Sequence, residues 1–138
     1  MERMTLKTMS RSGIPNVNKI VYSKDEFDKM VKNINGMQIK LTTGSFYDKD
    51  YIKNCQDFIK DLYLDIPNIL GEVVEIKDGE ISVDIYDDKL DVLKDAINKG
   101  FKPGMRYIGN VSKRDNDNIA TVTDMKLICY DMVIDKEV

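Results

Sequence analysis

The 138-residue sequence contains no histidine. Histidine most often performs general acid–base catalysis near neutral pH, so its absence excludes a Ser-His-Asp triad and a Cys-His pair. Zinc sites need closely spaced cysteine or histidine ligands, and the two cysteines, Cys55 and Cys129, lie far apart in the chain. Each cysteine sits in an apolar pattern, which indicates a buried thiol. We therefore expect no catalytic residues, no cofactor and no metal, and hence a chain that is not an enzyme.

The sequence also lacks long apolar runs. No stretch reaches the roughly 18 apolar residues of a membrane-spanning helix, and we expect no secretory leader because no apolar stretch follows the first basic residues. The net charge of -3 is too small to indicate binding to nucleic acid or to an anionic membrane. Length and a hydrophobic content of 42% fit one domain with one core. We expect synthesis in the cytoplasm and no membrane or nucleic-acid partner.

The charge is unevenly distributed. The first 18 residues contain three basic side chains and one acidic side chain, and they lack the apolar periodicity of a helix or strand. This pattern predicts an extended basic arm over residues 1–18, followed by a single domain over residues 19–138. We expect the arm to lie outside the core and to bind a partner chain. Its predicted contact residues are Arg3, Lys7, Arg11 and Ile14.

Three segments show helical periodicity. Ser23, followed by Glu26 three positions later, forms a capping box ahead of apolar residues at helical spacing. Asp48 is predicted to cap the second helix and Asp88 the third, and Gly100 is predicted to end the third.

Alternating and continuous apolar runs predict the strands, and Asp78-Gly79 and Pro103-Gly104 are predicted turns between them. The predicted strands are Lys19–Tyr22, Met37–Thr42, Ile69–Ile76, Glu80–Ile85, Arg106–Val111, Ile119–Val122 and Met125–Val133. Leu127–Tyr130 is apolar throughout, which favours a strand covered on both faces. The fold class is α+β: a mostly antiparallel sheet or partly open barrel with about three helices and the N-terminal arm.

Few residues suggest chemistry. Ser45 lies in a glycine-containing loop, and it stays a candidate nucleophile for a Ser-Lys mechanism. The Asp115–Asn118 run resembles part of a calcium loop but lacks the required later glycine and glutamate, so it predicts a solvated hairpin tip. A second acidic group consists of Asp84, Asp87, Asp88 and Asp91. Two of its members lie in the first turn of the predicted helix, where a carboxylate interacts favourably with the helix dipole. A magnesium site in this group stays an alternative.

The order of elements in the second half of the chain matches a known series. A strand that reads Ile-Leu-Gly-Glu-Val-Val from Ile69 is followed by the Asp78-Gly79 turn and a second strand. A helix then leads to a glycine-bounded strand over Gly104–Gly109, and the closing strand ends at Val133. This series resembles the prohead (capsid maturation) protease family of tailed phages, and it covers about half of the chain.

The resemblance fails at the catalytic positions. The family's histidine lies just before the first of these strands, where this chain has Asp65-Ile66-Pro67-Asn68. The family's serine lies in the glycine-bounded strand, where this chain has Met105 or a neighbour. The resemblance therefore implies a prohead-protease-like fold with Asn68 and Met105 at degenerate catalytic positions, and so an inactive protease homologue.

The resemblance implies a non-enzymatic structural protein of the phage head, found in the virion. We expect a decoration protein that binds the major capsid protein lattice, copies of itself, or both, and no small-molecule ligand. One alternative is an internal scaffold or inactive protease homologue that leaves before maturation. A second is a small phage protein that binds and inhibits a host factor through the acidic residues Asp84–Asp91.

Overall fold

The structure is a computed structural model, and it describes residues 1–34, 39–43 and 69–134. Ser45, Cys55, Asn68 and the helix predicted after Asp48 lie outside these residues. The strands are β1 Glu2–Lys7, β2 Ile20–Val21, β3 Ile39–Thr42, β4 Ile69–Lys77, β5 Glu80–Ile85, β6 Phe101–Val111 and β7 Ala120–Ile134. The helices are α1 Lys24–Lys32 and α2 Leu90–Asn98, with a 3-10 turn at Asp87–Lys89 ahead of α2.

The strands form one open sheet. Its order is β1-β5-β4-β3-β7-β2, and β6 pairs with the other side of β7. The short strands β2 and β3 run parallel to β7, and the other pairs are antiparallel. The edge strands β1 and β6 come together near Pro103, whose carbonyl oxygen accepts a hydrogen bond from Met9 N at 2.8 Å. The mixed α+β, mostly antiparallel architecture confirms the predicted class.

The structure corrects the prediction of an arm outside the core. Glu2–Lys7 is an edge strand, antiparallel to β5 in a register that sets Arg3 opposite Asp84. Leu6 is buried in the main core, and Met4 packs against that core. The two apolar side chains alternate with exposed polar ones, which is the period of a half-buried strand. We missed this alternation because it spans only a few residues in a basic stretch.

Strand β7 is longer than the strand that it accompanies. Residues 122–134 of the 15-residue β7 pair with the 11 residues of β6, and two irregularities in the register place an extra residue in β7 each time. At the first, Arg106 pairs with Cys129 and Tyr107 with Leu127, so Ile128 has no opposite residue. Side chains change faces there, so Leu127 and Tyr130 both enter the main core, while Cys129 packs with Ile128 on the opposite face.

Two predicted local features are wrong. Pro103-Gly104 is not a turn but lies within β6. Proline is tolerated because its position faces away from β7 on an edge strand, and glycine fits because a Cβ there would lie 2.9 Å from Val133 Cγ2. Asp88 does not cap α2, since it lies in the 3-10 turn and the N-cap is Lys89 without a side-chain hydrogen bond.

Other local predictions are confirmed. Ser23 Oγ accepts a hydrogen bond from Glu26 N at 3.1 Å at the start of α1. Gly79 has φ +88° in the β4–β5 turn, and Gly100 has φ +95° after α2. Helix α1 buries Phe27 and Met30, and α2 buries Leu93 and Ala96. No helix among the described residues is long and apolar enough to span a membrane.

Candidate functional site

Met105, the position that the resemblance assigns to the catalytic serine, lies at a cavity of about 360 Å³. One wall is the Gly104–Tyr107 part of β6, and Asp131 and Val133 of β7 complete it. The half-buried Met105 packs against the main core. Its thioether is apolar and carries no proton to transfer, so Met105 can shape this cavity but cannot act there as an acid, base or hydroxyl nucleophile.

The other wall of the cavity comes from residues 8–19, which we call the strap. Met9, Ser10 and Asn16–Asn18 of the strap line the cavity together with Tyr22. Backbone hydrogen bonds hold the strap across the sheet edge: Thr8 N donates to Gly79 O at 3.0 Å. Two residues later, Ser10 Oγ lies 3.2 Å from Tyr22 OH, and Gly13 N donates to Tyr22 O at 2.8 Å. The cavity therefore exists because the strap is tied down at several points along its length.

Asp78, in the β4–β5 turn, makes two further contacts with the strap. Its Oδ1 accepts a hydrogen bond from Ser12 N at 2.8 Å, and its Oδ2 accepts one from Ser12 Oγ. Partial burial opposes ionisation of Asp78, but the two Ser12 hydrogen bonds and the positive charges of Lys24 and Arg11 outweigh it. The pKa of Asp78 therefore lies below its ordinary value. An ionised Asp78 anchors the strap at neutral pH.

Asp131, which also lines the cavity, is a buried carboxylate in β7. Its Oδ1 accepts a hydrogen bond from Thr42 Oγ1 in β3, and its Oδ2 accepts one from Arg106 Nε in β6. Cys129 Sγ lies 3.5 Å from the same Oδ1. Burial and the Asp131 charge raise the pKa of Cys129, so its thiol stays protonated and weakly nucleophilic. We call these four residues the Asp131 cluster; it joins three neighbouring strands beside the cavity.

A row of charged residues crosses four strands, of which β3 also belongs to the Asp131 cluster. Arg3, Asp84, Glu72 and Lys40 stand opposite one another in β1, β5, β4 and β3. Arg3 donates to both carboxylate oxygens of Asp84, at 2.8 and 3.1 Å, and Lys40 Nζ lies 2.6 Å from Glu72 Oε1. The Arg3 hydrogen bonds lower the pKa of Asp84, and the Lys40 hydrogen bond lowers that of Glu72. Arg3, predicted as a partner contact, thus serves an ion pair within the chain.

The remaining predicted contact residues do not converge on one site. Arg11 lies against Gly79, Ile14 is 54% exposed on the strap, and Lys7 is exposed on β1. Met105 lies in β6, far from these three residues in the sequence. It shares the cavity with strap residues between Met9 and Asn18.

Two of the acidic residues predicted as a possible magnesium site form ion pairs with cationic groups of the chain. Asp84 binds Arg3, and Asp87 binds the N-terminal ammonium at 3.2 Å. In the tip after β6, Asp115 accepts hydrogen bonds from Asp117 N and Ile119 N, as expected for a solvated turn. Within the described ranges, no group of three or more cysteine or acidic side chains is placed to hold a metal ion.

The hydroxyl group of Ser12 contacts the carboxylate of Asp78, and the hydroxyl group of Thr42 contacts that of Asp131. In both pairs the carboxylate also accepts hydrogen bonds from other donors. Asp78 has a lowered pKa, which makes it a weak base toward a serine hydroxyl. Sequence reasoning missed both pairs. An aspartate within the apolar end of β7 was the available signal for Asp131, since a charge in such a run is buried only with partners.

Comparison with protein-family models gives no match, and comparison with curated proteins gives none either. The structure is similar to that of the bacteriophage T4 capsid assembly protease, gp21. The TM-score is 0.58 and the identity is 18%, and the match covers 95% of this chain and 80% of the T4 chain. The prohead-protease-like fold is therefore confirmed, and the likeness extends over nearly the whole chain instead of the half that the sequence showed.

The same comparison corrects another expectation. From the missing histidine we expected a chain that is not an enzyme, but the fold that it shares is the fold of a protease. The prediction that the chain is not an enzyme, which rested on composition, is therefore wrong. Lack of histidine restricts the mechanisms that are open to the chain, and it does not separate the chain from an enzyme fold.

Proposed function

We propose that this chain is a capsid protein of a tailed phage, which binds the major capsid protein lattice as a decoration protein. The observation that carries the proposal is the likeness to the T4 capsid assembly protease over 95% of the chain. A fold that serves capsid assembly in T4 is a reasonable framework for a capsid-binding protein.

The strap supplies the contact surface in this proposal. Ile14 is 54% exposed and Val17 is 47% exposed, so two large apolar side chains of the strap face solvent. Burying such side chains against a partner stabilises the complex by about 25 cal/mol per Å² of apolar surface. Because the strap is fastened to the sheet by Ser12 and Met9, it presents these side chains without a large ordering cost on binding.

The test is binding to particles assembled from the major capsid protein of the same phage, measured by co-sedimentation. Ile14→Asp and Val17→Asp should each weaken binding about tenfold or more, because each places a charge in an apolar contact. Val92→Asp is the matched control, since Val92 is similarly exposed on α2 outside the strap. Equal effects of the three substitutions, or no co-sedimentation of the wild-type chain, would contradict the proposal.

Mass spectrometry of the particles separates the decoration role from its alternatives. A decoration protein remains at high copy number in mature particles. A chain present in proheads and lost from mature particles would be a scaffold instead. Intact-mass measurement of the capsid protein after incubation with the chain tests for protease activity of the kind that this fold supports in T4. Cleavage would be seen directly as truncated capsid protein.

A further inference from the structure

A second groove, of about 260 Å³, lies where β1 passes the beginning of β6. Its lining residues are Thr5, Leu6, Lys7, Ile97, Gly100, Phe101, Lys102 and Pro103. The buried Leu6 and Pro103 give the groove an apolar floor, and the exposed Lys7 and Lys102 stand beside it. The sheet is open here: β1 and β6 approach each other without pairing, apart from the hydrogen bond between Met9 N and Pro103 O.

The outer backbone edge of β1 borders this groove. Thr8 N donates to Gly79 O beside β5, whereas Met9 N donates to Pro103 O on the opposite side. Backbone groups in an antiparallel pair alternate in direction, so the N–H and C=O groups of Thr5 and Lys7 point away from β5. Neither residue has a backbone partner on that side among residues 1–34, 39–43 and 69–134. An unpaired strand edge is a template for another strand.

The charge beside the groove is positive. Neither Lys7 nor Lys102 has a carboxylate within ion-pair distance in the part of the chain that the structure describes, although Glu80 stands opposite Lys7 in the register. Arg3, by contrast, is neutralised by Asp84. Two lysines without ion pairs beside an apolar floor favour a ligand that alternates apolar and acidic side chains.

We propose that β1 and the groove beside it bind an extended acidic segment of a partner protein, which adds to the sheet as a strand next to β1. Backbone hydrogen bonds to Thr5 and Lys7 supply affinity, the floor takes the apolar side chains, and Lys7 and Lys102 select acidic ones. The inference deepens the proposed function, on which it rests for the identity of the partner as a capsid protein segment.

The experiment measures fluorescence anisotropy of a labelled ten-residue peptide that alternates valine with glutamate, titrated with the full chain. Lys7→Glu and Lys102→Glu should each weaken binding about threefold or more, and Lys113→Glu, an exposed lysine in the tip after β6, should not. Thr5→Pro removes one outward N–H and leaves the β1–β5 hydrogen bonds intact, so it should weaken binding about tenfold. Thr5→Val keeps that N–H and should bind like the wild type. Thermal unfolding of each variant checks that β1 remains folded.

Four outcomes would overturn the inference. Thr5→Pro could bind like the wild type with an unchanged melting temperature, or a peptide with lysine in place of glutamate could bind equally well. Self-association that depends on Lys7 would assign the groove to a second copy of the chain. Peptide binding that appears only after removal of residues 135–138 would assign it to the chain's own C-terminus.

The two proposals fail separately. Co-sedimentation with capsid particles that is unaffected by Lys7→Glu, Lys102→Glu and Thr5→Pro leaves the proposed function standing and removes this groove from it. Lysine-dependent peptide binding without any co-sedimentation supports the groove as an acidic-segment site and removes the capsid as its partner.

Discussion

The Asp131 cluster allows a quantitative test of what holds the neighbouring strands β3, β7 and β6 together. The Asp131 side chain is 4% exposed and that of Arg106 is 21% exposed. Removing one partner of a fully buried ion pair costs about 3–5 kcal/mol, because the other charge is left without compensation. Arg106→Met leaves the more deeply buried charge behind, so it should cost about 3 kcal/mol of unfolding free energy. Asp131→Asn leaves Arg106 partly hydrated and should cost about 2 kcal/mol.

The double variant carries the decisive information. Once Asp131 is replaced by a neutral residue, loss of the arginine leaves no buried charge without a partner. Arg106→Met with Asp131→Asn should therefore cost about 3 kcal/mol, less than the two single costs together. The coupling energy is then about 2 kcal/mol. Urea unfolding followed by circular dichroism measures all four proteins, with Lys113→Met as an exposed control within about 0.5 kcal/mol of the wild type. Additive effects of the two single substitutions would refute the reasoning.

Three further predictions concern burial, close packing and pH. In a Cys55→Ser background, Cys129 should react with Ellman's reagent at pH 8 only after unfolding, since burial raises its pKa; immediate reaction would contradict this. Gly71→Ala sets a methyl group against a carbonyl oxygen of β5, so urea unfolding should show a loss of about 2–3 kcal/mol. The lowered pKa of Asp78 contributes stability that is fully present above the ordinary aspartate pKa and is lost as pH falls through the lower folded-state pKa. Carboxyl-carbon NMR should show that pKa rising in Ser12→Ala, and no change would argue against the anchor.

The features that could be predicted from sequence are those with local causes. The β4–β5 turn depends on the positive φ of Gly79, and the start of α1 depends on a hydrogen bond between Ser23 and Glu26, three residues apart. Both signals are complete within a few residues, so the sequence carries them in full. The continuous apolar run Leu127–Tyr130 likewise predicted a strand buried on both faces, and burial confirms it.

Features that depend on distant partners could not be predicted in the same way. Glu2–Lys7 becomes a strand because β5, far along the chain, supplies the hydrogen bonds, and its own alternation of Met4 and Leu6 is brief. Pro103 resembles a turn residue until β6 is known to be an edge strand. Position 105 was found only through the family resemblance, because nothing about a methionine in an alternating strand marks a cavity wall.

The strap shows why the missing histidine carried too much weight in the sequence reasoning. Residue types alone indicate catalysis poorly here, because the structure concentrates its polar contacts where the chain must be held in place. Ser12 and Asp78 fix the strap, and Thr42, Arg106 and Asp131 join β3, β6 and β7 beside the same cavity. Both sets of contacts position the walls of the cavity around Met105. A fold shared with a protease can therefore keep the shape of its cavity through contacts that need no histidine.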